Sequence, residues 1–171
     1  MNRNIKLALL LAGTAALAAC SKKAPEQLPP PPAETAPTPA PTSTTPSGPT
    51  LGSQAHFENA VNGQNVIYFD TDRFNIDSTD AAALQTQAQY LARYPQISIT
   101  VEGHADERGT REYNLALGER RANSAKNYLV GLGVSAGRIN TISYGKERPV
   151  ALGSNESSWS QNRRAVSVVV N

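Results

Sequence analysis

Several residue types that carry catalytic or structural chemistry are scarce in this chain of 171 residues. It has one cysteine, one tryptophan and two histidines, and its formal net charge is only +2. A single cysteine excludes an internal disulfide framework and a multi-cysteine zinc site. There is no His-Glu-x-x-His motif, and we assign no serine to a nucleophile elbow. These absences argue against metal-dependent hydrolysis and against catalysis by a cysteine or serine nucleophile, and no metal and no cofactor are expected.

The first twenty residues have the pattern of an export signal. A basic end precedes a short apolar run that is too short to span a bilayer, and the run leads into Leu17-Ala18-Ala19-Cys20. This tetrapeptide resembles the bacterial lipobox, so we expect residues 1–19 to be cleaved and Cys20 to be lipidated. An ordinary signal peptide with an incidental cysteine is the alternative. Because Ser21 rather than an aspartate follows, the resemblance implies delivery to the outer membrane.

Cleavage after residue 19 changes the charge of the chain. Arg3 and Lys6 would be lost, which takes the 16 basic residues to 14 against 14 acidic ones and leaves a net charge of zero. A neutral chain without a basic tract argues against a nucleic-acid partner.

The next segment is dominated by proline. Ten of the 12 prolines fall between residues 24 and 53, mixed with Ser, Thr and Ala. Such a segment cannot bury enough apolar surface to fold, and it favours extended polyproline II structure. About 30 residues of this kind reach on the order of 90 Å when fully extended. We therefore predict that residues 20–55 form a disordered tether behind the lipidated cysteine, and that residues 56–171 form the folded domain.

The folded domain is predicted to be of the α+β class. We expect strands at 66–69, 97–102, 138–145 and 165–170 and helices at 78–93 and 111–130. Residues 153–161 are expected to form a loop with at most one helical turn. Ser78 or Thr79 is expected to cap the first helix. The core face of the second helix is predicted at Leu115, Gly118, Ala122, Ala125, Leu129 and Leu132. The order β-α-β-α-β-β predicts a mixed sheet with both helices on one face, in a two-layer α/β sandwich.

The most informative stretch is VEGHADERGTREYNLALGERRA, from Val101 to Ala122. It predicts that Asp106 lies on a loop after a strand and that Asn114, Leu117 and Arg121 share one stripe of the following helix. A carboxylate and an arginine at these positions suit a ligand that carries both an ammonium and a carboxylate group. A surface ion pair between loop and helix is the alternative.

Several separated motifs resemble the OmpA-like peptidoglycan-binding domain family. They are YFDTD at 68–72, the stretch from Val101 to Ala122, ISYGKERP at 142–149 and NRRAV at 162–166. The resemblance implies a domain that binds the meso-diaminopimelate residue of the peptidoglycan stem without cutting it. It places the ligand ammonium on Asp106 and the free carboxylate on Arg121. Phe69, Asp70, Ala105, Asn114 and Leu117 are the other pocket residues that it implies.

The same resemblance implies partners. They are peptidoglycan, the outer membrane through the lipid on Cys20, and a TolB-like periplasmic β-propeller with other Tol proteins, in envelope constriction during cell division. Two alternatives stay open. One is an OmpA-like wall-binding lipoprotein without Tol partners, and the other is a metal-dependent hydrolase using Glu102, His104, Asp106 and Glu107. His104 is otherwise expected to order, through hydrogen bonds, the loop that bears Asp106. Arg163 and Arg164 either shape the rim of the site or are solvated.

Overall fold

The computed structural model describes residues 48–170. In chain order the elements are α1 (Gln54–Ala60), β1 (Val66–Tyr68), α2 (Ser78–Arg93), β2 (Ser98–His104), α3 (Arg111–Gly131), a 3-10 turn (Ala136–Arg138), β3 (Ile139–Gly145), α4 (Glu156–Asn162) and β4 (Arg164–Val170). The predicted signal peptide, Cys20 and most of the proline-rich segment lie outside the described residues. Within residues 48–170, no helix combines the length and apolar character needed to cross a membrane.

The four strands form one mixed sheet in the order β1-β4-β2-β3. Strand β4 runs antiparallel to both of its neighbours, whereas β2 and β3 are parallel. Ile99 of β2 lies opposite Val169 of β4 and Ile139 of β3, and all three are buried in the core. Because strand side chains alternate between faces, this register gives the sheet one apolar face, against which α2 and α3 pack. The predicted two-layer α+β architecture is confirmed.

The ends of the two long helices follow from local capping. Helix α2 has the predicted bounds, but its cap is Asp77, whose carboxylate accepts a hydrogen bond from the Asp80 amide at 2.8 Å; the prediction of Ser78 or Thr79 was wrong. Helix α3 begins after Thr110, whose hydroxyl accepts from the Tyr113 amide. An oxygen at this position satisfies an amide that has no partner inside the helix.

Three sequence predictions need correction. Helix α1 begins at Gln54, inside the segment predicted as tether. Helix α4 has two turns where a loop with at most one helical turn was predicted. Of the predicted core face, Leu132 is 42% exposed and Leu115 is only half-buried. The buried face of α3 includes Leu117 and Arg121. A hydrophobic pattern cannot assign an arginine to a core face, because its burial depends on distant acceptors.

Helix α3 lies against β2 in backbone contact. A Cβ atom added to Gly103 would fall 1.8 Å from the carbonyl oxygen of Gly118, and one added to Gly118 would fall 2.4 Å from the Ser143 hydroxyl. Only residues without a side chain permit this approach. The contact fixes the loop that leaves β2 relative to the first turns of α3.

The side chain of Gln54 continues the sheet beyond the short strand β1. Its Oε1 accepts from the Val169 amide at 2.8 Å, and its Nε2 donates to the Ser167 carbonyl at 3.4 Å. The Ser167 amide donates to the Asn65 carbonyl at 2.8 Å. Three backbone groups in the half of β4 that β1 does not reach, the amides of Ser167 and Val169 and the Ser167 carbonyl, therefore have partners.

Candidate ligand-binding site

Two loops and the start of α3 enclose a cleft of about 270 Å³. One loop, residues 69–77, follows β1, and the other, residues 105–110, follows β2. The cleft is lined by Thr71, Asp72, Asp106, Arg108, Gly109, Tyr113, Asn114, Leu117 and Arg121. The two carboxylates and two guanidinium groups among these residues give the cleft charges of both signs.

Arg121 forms the buried base of the cleft and is 0% exposed. Its Nε, Nη1 and Nη2 donate to the carbonyl oxygens of Arg73, His104 and Asp70 at 2.9, 2.8 and 3.0 Å. Its guanidinium thus joins the loop after β1 to the end of β2. Burial lowers its pKa to about 10, so the side chain remains cationic at neutral pH. A guanidinium has five N–H groups, and three of them make these bonds to carbonyls.

Asp106 is 7% exposed and is held by Arg108. Nε and Nη2 of Arg108 donate to its two carboxylate oxygens at 3.0 and 2.7 Å, and the Arg108 amide donates at 3.1 Å. The Nη1 atom of Arg163 lies 3.6 Å from Oδ2. Burial alone would raise the pKa of Asp106, but the Arg108 hydrogen bonds and the charge of Arg163 outweigh it and lower the pKa. Asp106 is therefore a carboxylate at neutral pH.

The loop after β2 is held mainly through its backbone. Asn114, which is 2% exposed, donates from Nδ2 to the carbonyls of Arg108 and Thr110 at 2.7 and 3.1 Å. Lys146 donates to the carbonyls of Glu107 and Gly109. The loop conformation consequently depends little on which side chain stands at position 108.

The structure places the predicted residues in three groups. Asp106, Asn114, Leu117 and Arg121 line the cleft. Phe69 and Asp70 border a neighbouring cleft of about 320 Å³ on the other side of the loop after β1. Ala105 is 3% exposed, and its amide donates to the Gly145 carbonyl at 2.8 Å. These are positions only; the roles of the residues in ligand binding stay predictions.

The alternative of an ion pair between loop and helix is not what the structure shows. Asp106 pairs with Arg108 of its own loop, and the Arg121 donors bind carbonyls. Arg163 and Arg164 are each only 6% exposed, so the prediction that they are solvated is wrong.

Sequence reasoning overlooked Arg108, together with Asp72 and Tyr113 on the opposite wall. The Tyr113 hydroxyl donates to Asp72 at 3.2 Å. The available signal was the spacing of Arg108, which follows Asp106 by two residues and can reach back to it across a tight turn.

The alternative of a metal-dependent hydrolase has no geometric support among the described residues. Within residues 48–170, no group of three His, Cys, Asp or Glu side chains is arranged to hold a metal ion. One Gly-x-Ser-x-Gly pattern does occur, at 133–137, although no serine was assigned to a nucleophile elbow from the sequence. It links the end of α3 to the 3-10 turn, whereas a nucleophile elbow leads from a strand into a helix.

His104 closes β2 and is 1% exposed, and neither of its ring nitrogens has a hydrogen-bond partner among the described residues. The prediction that its hydrogen bonds order the loop bearing Asp106 was therefore wrong. The His104 ring stacks on Tyr144 with centroids 5.6 Å apart, and its Nε2 lies 3.6 Å from Glu102. Burial, followed by the charges of Arg164 and Arg148, lowers its pKa from 6.5 to about 4. His104 is therefore neutral in the folded protein over most of the physiological range.

This depressed pKa predicts a pH dependence of stability. Between pH 6.5 and 4 the unfolded chain binds a proton at His104 that the folded chain resists, so the free energy of unfolding is expected to fall as the pH falls through that window. The loss should reach about 3 kcal/mol near pH 4. Urea titrations at several pH values, compared with His104→Gln, measure it. Equal pH slopes in the two proteins would contradict the assignment.

Comparisons with known proteins agree with this architecture. The sequence model of the OmpA family matches residues 68–163, which include both loops and α3. The peptidoglycan-associated lipoprotein of Rhizobium meliloti (strain 1021) is 58% identical over 120 residues, covering 70% of this chain and 67% of that protein. The peptidoglycan-associated lipoprotein of Haemophilus influenzae is 39% identical over 166 residues, covering 97% of this chain and 98% of that protein.

A solved structure gives the same result. The crystal structure of the peptidoglycan-associated lipoprotein from Burkholderia pseudomallei superposes with a TM-score of 0.64 at 46% identity, covering 66% of this chain and 96% of that one. The resemblance inferred from the motifs is confirmed. The chain belongs to the OmpA family, and its relatives include proteins named peptidoglycan-associated lipoproteins.

Proposed function

We propose that this protein binds peptidoglycan non-covalently, without catalysis, through the meso-diaminopimelate residue of the peptide stem. The observation that carries the proposal is the presence, in one cleft, of a buried carboxylate and a buried guanidinium that are not bonded to each other, Asp106 and Arg121. The free end of the diaminopimelate side chain carries an ammonium and a carboxylate on one carbon. The relatives named peptidoglycan-associated lipoproteins support the same ligand.

The charged groups of Asp106 and Arg121 could each select one charged group of the ligand. The Asp106 carboxylate can accept hydrogen bonds from an ammonium group. Charge-assisted hydrogen bonds of this kind are about twice as strong as neutral ones. The two N–H groups of Arg121 not used on carbonyls can meet the ligand carboxylate. Asn114 holds the loop in place, and Leu117 supplies an apolar wall for the ligand's methylene groups. A stem that carries L-lysine lacks the second carboxylate and should bind more weakly.

The proposal extends to the cell envelope. A lipid on Cys20 would hold the protein in the outer membrane, and the proline-rich segment would let the domain reach the wall from the periplasmic side. In this view the protein tethers the outer membrane to peptidoglycan within the Tol–Pal system and supports constriction at division. Recovery of a TolB-like β-propeller with the purified protein would separate this role from that of a wall-binding lipoprotein without Tol partners.

The test is co-sedimentation of the purified full-length protein with isolated sacculi. Asp106→Asn keeps the shape of the side chain and its acceptor for the Arg108 amide but removes the charge. We expect it to lower the affinity for diaminopimelate-type sacculi by about tenfold or more.

The matched control is Glu112→Gln, which removes one negative charge from the exposed first turn of α3 and alters no residue of the cleft. It should sediment like the wild type. Equal binding of Asp106→Asn and wild type, or equal binding to lysine-type sacculi, would contradict the proposal.

A further inference from the structure

Arg108 is a residue that neither the motifs nor the relatives' names assign to ligand binding. Its side chain is 39% exposed, lines the cleft and occupies both carboxylate oxygens of Asp106. In the free protein, a guanidinium of the chain itself thus stands where a ligand ammonium would bind. Any cationic ligand must compete with it.

Arg108 also has a second support that does not depend on Asp106. Its guanidinium carbon lies 4.2 Å from the centroid of the Trp159 ring, close enough for cation–π attraction. The indole Nε1 donates to the Glu107 carboxylate at 3.0 Å, which fixes the ring against the same loop. After leaving Asp106, the guanidinium can therefore remain over the ring at the edge of the cleft.

We propose that Arg108 exchanges partners when ligand binds, releasing Asp106 to the ligand ammonium and taking up the ligand carboxylate. This inference rests on the proposed function and adds to it a residue that determines ligand specificity. Before binding, Asp106 and Arg108 pair with each other in the cleft. After a zwitterion binds, each has a partner on the ligand, because the ammonium pairs with Asp106 and the carboxylate pairs with Arg108.

The exchange explains why the cleft would select a zwitterion. A ligand with an ammonium group alone displaces Arg108 and offers it no anion in return, so one protein ion pair is lost for the one gained. A ligand with a carboxylate alone finds Asp106 already paired and meets its negative charge. Only a ligand with both groups leaves Asp106 and Arg108 each with a partner of opposite charge.

The variant that tests this is Arg108→Gln. The backbone contacts of the loop survive it, because Asn114 and Lys146 bind carbonyl oxygens and the residue 108 amide still reaches Asp106. The probes are two soluble muropeptides that differ only in diaminopimelate or L-lysine at the third stem position. Isothermal titration calorimetry on the full-length protein gives both affinities.

The expected result is a pair of changes of opposite sign. Affinity for the diaminopimelate stem should fall about tenfold through loss of the carboxylate partner. Affinity for the lysine stem should rise about threefold, because the competitor for Asp106 is gone. In Arg108→Lys the affinity for the diaminopimelate stem should fall less, since lysine keeps the charge but not the two-pronged hydrogen-bonding geometry.

The control is Arg111→Gln, which removes a cation from the same end of the domain. Arg111 is 61% exposed and pairs with Glu147 rather than with the cleft, so this variant reports the general effect of charge. Equal fold-changes for both stems in Arg108→Gln, the result of a merely structural role, would overturn the exchange. If the wild type binds both stems equally, the proposed function itself fails, which is a distinct outcome.

Discussion

Replacing Arg121 by alanine is expected to lower the free energy of unfolding by about 4 kcal/mol. The side chain is 0% exposed and donates to three carbonyls, those of Arg73, His104 and Asp70. Its removal leaves a cavity and three acceptors without their donor, and it separates the loop after β1 from the end of β2. Urea denaturation followed by circular dichroism measures the change.

Arg120 provides the matched control for this substitution. It is the preceding residue of α3 and is exposed, with its guanidinium 5.9 Å from the Phe74 ring. Arg120→Ala should change the free energy of unfolding by less than about 0.5 kcal/mol. Equal losses in the two variants would show that the carbonyl contacts of Arg121 do not stabilise the fold.

The expected instability of Arg121→Ala affects how its binding is interpreted. A loss of sacculus binding would have two causes that cannot be told apart in this variant: damage to the cleft and loss of the ligand contact made by Arg121. Arg121→Lys separates the two in part, because it keeps the charge but cannot reach three carbonyls at once. Binding by either variant is informative only under conditions where the denaturation curve shows it to be folded, and for this reason Asp106→Asn is the cleaner test of function.

Gly103→Ala is expected to cost more than about 3 kcal/mol, the upper part of the range for overpacked cores. The added Cβ would lie 1.8 Å from the carbonyl oxygen of Gly118, and no rotamer change relieves a clash between two backbones. Strand β2 and α3 must move apart, which displaces the loop carrying Asp106. A fall in Tm of more than about 10 °C is expected in a thermal scan.

Gly131→Ala is the control for the same change elsewhere in α3. Gly131 is the last residue of the helix, and a Cβ there meets no atom within 4 Å. Alanine loses less conformational entropy than glycine in a helix, so stability should stay the same or rise by up to about 1 kcal/mol. A Gly103→Ala protein as stable as Gly131→Ala would refute the close contact between β2 and α3.

The local part of the fold could be predicted because its signals are local. Helix α2 has the predicted bounds since Leu84 and Leu91 repeat at helical spacing and Pro95 follows its end. Helices α1 and α4 were not predicted from the sequence, because each has only seven residues and too few turns to show a hydrophobic period. The position of β4 between β1 and β2 depends on contacts across the whole chain, which no pattern reports.

The candidate site was predictable to the same extent. The spacing of Asn114, Leu117 and Arg121 placed them on one face of a helix, and the structure has them together in the cleft. That Arg121 is buried could not be predicted, because its acceptors are carbonyls contributed by Arg73, His104 and Asp70 from other parts of the chain. Every residue has a backbone carbonyl, so the residue types in the sequence do not indicate which carbonyls will accept hydrogen bonds from an arginine.

The contact of Gln54 with β4 affects how readily the domain can aggregate at high protein concentration. A strand whose outer amides and carbonyls are open can recruit a strand from another molecule, and this is a common first step towards aggregation. The Gln54 carboxamide occupies the Val169 amide and the Ser167 carbonyl, so it imitates a peptide group without extending the ladder. One side chain thereby closes this part of the β4 edge to a strand from a neighbouring copy.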